Sequence, residues 1–76
     1  MSIFTPKSTK SIIIKGQINE NTGVKLYDIQ GRLVFATTLK EGTNINEIDV
    51  EDFSVGGYII KLESATQGKT QKIIIR

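Results

Sequence analysis

Apolar and polar residues alternate along most of this chain with a period of two, and no stretch sustains a helical repeat. Strand side chains point alternately to two faces, so each alternating run reads as a half-buried strand. Residues 11–15, SIIIK, form a β-branched first strand. Residues 16–23, GQINENTG, are rich in Gly and Asn and read as a loop. A second strand at 24–27 puts Val24 and Leu26 on one face and Lys25 and Tyr27 on the other. The third, 33–39, is ambiguous, because Leu33, Phe35 and Leu39 compete with Val34 and Ala36 for the inward side. The fourth, 44–50, sets Ile48 and Val50 against Glu47, Asp49 and Glu51. Residues 52–55 then make a tight connection, with Phe53 folded onto the core. The fifth strand, 57–63, places Tyr58, Ile60 and Leu62 on one face. After a loop at 64–69, the sixth strand, 70–76, ends in KIIIR.

The turn at 28–31 joins the second and third strands as a hairpin. Asp28 at its first position can accept the backbone N–H two residues on. Gly31 at its fourth can adopt positive φ without a Cβ clash, as hairpins built on a type I turn require. Six or seven short strands separated by regular turn signals predict an all-β, antiparallel sandwich. A five- or six-stranded open barrel is the rival.

Composition narrows the picture. At 76 residues the chain is one small domain. Residues 1–10, with Pro6 among serines and threonines, read as a linker or start-of-chain remnant, and 11–76 as the β-sandwich domain. Met1-Ser2-Ile3-Phe4 lacks the basic and apolar regions of a signal peptide, so if the domain works outside the cytoplasm its export signal is expected on a larger parent chain. The longest apolar runs are triplets, far short of a membrane-spanning helix. The net charge of +2 divides into +3 for residues 1–38 and −1 for 39–76, too balanced to imply nucleic acid.

Candidate chemistry is sparse. There is no Cys and no His, so Ser–His and Cys–His nucleophile pairs are impossible and no enzyme activity is expected. Gly68-Lys69-Thr70 is half of a phosphate loop, but Glu63 stands where the first glycine belongs and no helix follows. Glu47, Asp49, Glu51 and Asp52 offer oxygen ligands to calcium, yet alternating strand carboxylates read better as a solvated face. Lys7, Lys10, Lys15 and Lys25 with Tyr27 and Phe35 match no base-stacking spacing. No cofactor, metal, nucleic acid or small-molecule substrate is therefore expected. The isoleucine triplets say more. One of Ile12, Ile13 and Ile14 must face outward, and so must one of Ile73, Ile74 and Ile75, as does Ile59. If those strands are neighbours, their outward residues form an exposed apolar patch.

These pieces follow an order that resembles a known family. Leu26-Tyr27-Asp28 followed by Gly31-Arg32-Leu33-Val34 resembles the "YD-x-x-G-[KR]-x-V" hairpin of type A C-terminal sorting domains. Those domains belong to proteins exported by the type IX secretion system of Bacteroidetes. Ile48-Asp49-Val50, Phe53, Gly56 and Tyr58-Ile59-Ile60 resemble the family's "I-D-L…L…G-x-Y-[IV]-[IV]". Lys72-Ile73-Ile74-Ile75-Arg76 resembles its closing "K-[IV]-[IV]-[IV]-[KR]" strand. Two positions depart from the pattern. Phe4-Thr5-Pro6-Lys7 stands where the family opens with "P-N-P", and Gly57 where it usually carries a larger residue.

The resemblance implies a seven-stranded immunoglobulin-like sandwich at the C-terminus of a larger protein. It implies a sorting signal, read by outer-membrane secretion machinery, that carries cargo through the periplasm to the cell surface or medium. On that reading Lys72, Ile73, Ile74, Ile75 and Arg76 are the recognition element, removable with little loss of fold. Asp28, Gly31 and Gly56 are structural. The alternative is an immunoglobulin-like accessory binding or adhesion module. The absence of Trp and the presence of only two Tyr disfavour a sugar-stacking platform.

Overall fold

The computed structural model describes residues 1–6, 8 and 10–76. Its strands are β1 Ser2–Phe4, β2 Ser11–Lys15, β3 Thr22–Asp28, β4 Leu33–Leu39, β5 Ile45–Asp49, β6 Gly56–Glu63 and β7 Gly68–Ile75. All pairings are antiparallel. A three-stranded sheet runs β1-β2-β5 and a four-stranded sheet β4-β3-β6-β7. The separate sheets fit the immunoglobulin-like sandwich and set aside the barrel.

Alternation builds the core. From the three-stranded sheet, Ile3, Ile12, Ile14 and Ile48 point inward, and Ile12 and Ile14 are completely buried. Val24, Leu26, Ile60, Leu62, Ile73 and Ile75 answer from the other sheet. Register stacks these residues in rows: Ile12 faces Ile48, Leu26 faces Ile60, and Val24 faces Leu62. Each such side chain contributes roughly 1.5–3 kcal/mol on burial.

Several features escape the period-two pattern. Strand β1 lies in the stretch read as linker. Its one inward residue, Ile3, is too short a pattern to recognise, and the strand exists by pairing Ile3 with Ile14 of β2. Ile18, in the loop after β2, is buried, and the loop backbone is tied to the turn before β5 by Ile18 N–H to Thr43 O and Gly42 N–H to Ile18 O. The ambiguity of β4 has a physical cause. A bulge shifts its register, so that Leu26 faces Phe35 while Tyr27 faces Leu33. Phe35 and Leu39 therefore point inward, and Leu33 shares the outer face with Tyr27.

Tyr58 closes the connection between β5 and β6. Its ring packs beside Phe53, and its hydroxyl donates a 2.7 Å hydrogen bond to Ser54 O, four residues upstream. This is the corner arrangement of immunoglobulin-like sandwiches.

Candidate functional site

Strand β7 is an edge strand, paired with β6 alone. Gln71, Ile73 and Ile75 project into the sandwich, while Lys72 and Ile74 project outward. Ile73 and Ile75 are 5% and 2% exposed, against 44% for Ile74. Arg76 follows β7 and is exposed. The five residues expected to act together thus divide into core and surface. Removing them would strip two isoleucines from the core, so the expectation of little loss of fold is corrected. Of the five, Lys72, Ile74 and Arg76 are the exposed ones.

These side chains join a continuous outer face. One row crosses the sheet as Leu33, Tyr27, Ile59 and Lys72. In the next, Ile74 faces Gly57. The turn after β3 leans over this spot. A Cβ placed on Gly57 would lie 3.4 Å from Ile29 Cγ2 and 3.7 Å from Lys72 Cε. Such a Cβ would make ordinary contacts there, so the space beside Gly57 lies close to both Ile29 and the terminal strand. Ile59 and Ile74 share the face, but Ile13 does not. It sits in the other sheet, opposite Phe4 and Glu47. The isoleucine patch joins two strands, not three.

The 28–31 turn holds this corner in place. Asp28 Oδ1 accepts the N–H groups of Gln30 and Arg32 at 2.9 and 3.0 Å, and Oδ2 accepts Arg32 Nε–H at 2.8 Å. The backbone N–H of Arg32, above all, holds the Asp28 carboxyl below its usual pKa. Gly31 adopts φ +84°, in the left-handed region, and Gly56 at the start of β6 adopts φ +144°. The importance of Arg32 was not read from the turn chemistry. Its signal is an acid four residues ahead of an arginine across a tight turn.

An open groove of about 400 Å³ runs between this turn and the β5–β6 connection, lined in part by Arg32, Val34, Asp52, Phe53 and Val55. Its one guanidinium is paired with Asp28. Asp49 Oδ1 accepts Glu51 N–H and so shapes the turn after β5, and no group of three or more metal-binding side chains gathers among the described residues. Lys69, from the partial phosphate loop, donates to Met1 O. Lys15 and Lys25 lie in different sheets, Phe35 turns inward, and Lys7 lies outside the described residues.

Comparison of the sequence with known families gives a match over nearly the whole chain. The model of the secretion system C-terminal sorting domain matches residues 5–76. No curated protein matches the chain. The matched family is one of sorting signals, not a known enzymatic family, and it favours the sorting role over an adhesion module. The chain belongs to the type IX secretion C-terminal sorting domains, signals that direct a larger cargo protein to the cell surface or medium.

Proposed function

We propose that outer-membrane secretion machinery reads the outer surface of residues 72–76, and that cargo reaches it through the periplasm. The observation that carries this reading is the split within β7. Ile73 and Ile75 anchor the strand in the core while Lys72, Ile74 and Arg76 stand exposed on an edge. A receptor therefore meets two cations flanking an isoleucine on a rigid support. Asp28, Gly31 and Gly56 serve structurally, holding the corner against which this strand lies.

The test is a cargo carrying this domain with Lys72→Glu, Ile74→Ser and Arg76→Glu combined. The substituted side chains are exposed, so the thermal midpoint should stay within a few degrees. Export should fall at least tenfold. Export at the unaltered level from a folded triple variant would overturn the assignment.

A further inference from the structure

Each sheet edge offers unpaired backbone groups, and three of the four carry a device that discourages pairing. Strand β1 has three residues. Strand β5 carries Glu47 and Asp49. Strand β7 carries Lys69 and Lys72, and its Ile74 carbonyl is taken by the Thr5 hydroxyl. Strand β4 differs. It is seven residues long, LVFATTL, with no charge and no proline, and it pairs with β3 alone. Its β-branched and aromatic residues favour a strand.

The free groups of β4 can be assigned. Asp28 N–H donates to Arg32 O, so Asp28 faces β4, and alternation along β3 makes Leu26, Val24 and Thr22 face it too. Their partners Phe35, Thr37 and Leu39 therefore spend their backbone groups on β3. Ala36 and Thr38 present theirs to solvent. The bulge interrupts the start of the strand, so residues 35–39 form its regular edge.

We propose that this edge pairs antiparallel with the same edge of a second copy of the chain, about a two-fold axis at Thr37. In that register Ala36 faces Thr38 of the second copy, and both bring free backbone donors and acceptors. Phe35 faces Leu39 and Thr37 faces Thr37, pairings of the kind that stabilise sheets. No charge meets its own image. Two four-stranded sheets become one of eight strands. The five-residue seam is small, so the dimer is weak and concentration-dependent.

Sedimentation equilibrium of the 76-residue chain tests this, from roughly 10 μM to 1 mM. The unaltered chain should move from monomer towards dimer across that range. Ala36→Lys with Thr38→Lys sets lysines of the two copies against each other and should stay monomeric. Ala36→Glu with Thr38→Glu should behave likewise. An equimolar mixture of the two variants should form a heterodimer with the mass of one copy of each. A chain that stays monomeric at 1 mM overturns the proposal, as does a dimer that survives either double substitution, or a mixture that remains monomeric.

Discussion

The Thr5 hydroxyl donates a 2.9 Å hydrogen bond to the carbonyl of Ile74, from near one end of the chain to near the other. Gln71 Nε2 answers with a 3.0 Å bond to Ile3 O. These side chains bridge the β1 and β7 edges, which belong to different sheets. Thr5→Val keeps the shape and removes the donor. It should cost about 0.5–1.5 kcal/mol in urea unfolding, towards the low end because the bond is exposed. Amides of residues 2–4 should also exchange faster, since β1 loses a tether.

Adjacent isoleucines in β7 should respond very differently. Ile73→Ala empties a core position and should cost about 2–5 kcal/mol. Ile74→Ala alters the outer surface and should cost under about 1 kcal/mol by the same unfolding measurement. Equal costs would contradict the alternation of inward and outward side chains in β7.

Gly31 sits where a Cβ would meet nothing within 4 Å, so its requirement is conformational and not steric. Gly31→Val must hold φ near +84° and should lose about 1–2 kcal/mol, with some further loss from β-branching. Gly31→Asn should lose less, because Asn tolerates that region. Thermal unfolding of both variants checks the order.

Asp28 supplies a pH dependence. Its folded pKa is depressed, so its contribution is fully present above the unfolded value, about 3.9, and is lost as pH falls through the folded value. Glu20, lowered by hydrogen bonds from Thr66 and Ser64, acts in the same direction. The thermal midpoint should therefore fall as the solution is acidified below about pH 4. Asp28→Asn should be less stable than the unaltered chain at pH 7, and the gap should narrow on acidification. A constant gap would remove the carboxylate from the account.

Much of the fold is legible in the sequence because a half-buried strand writes its burial as alternation. Tyr58, Ile60 and Leu62 are buried, and Ile48 is separated from Glu47 and Asp49 as read. The misses fall where alternation stops carrying information. Ile18 packs from a loop, and Ile3 lies in a strand too short to show a period. The bulge in β4 makes both faces look apolar by inserting one residue. The partition of strands between sheets was also illegible, because it depends on long-range pairing, so alternation alone left open whether Ile13 lies beside Ile59 and Ile74. At the candidate site, the ordered Tyr27-Asp28, Gly31-Arg32 and KIIIR segments identified the family. They did not show that Ile73 and Ile75 serve the core.

The most direct measurement of the central claim is export of a reporter. A folded reporter with a cleavable N-terminal secretion signal and this 76-residue chain at its C-terminus would be expressed in a host with the type IX system. Fractionation should find it at the cell surface or in the medium, and in the periplasm of a host lacking that system. Retention of the intact fusion in the periplasm of the competent host would contradict the sorting function.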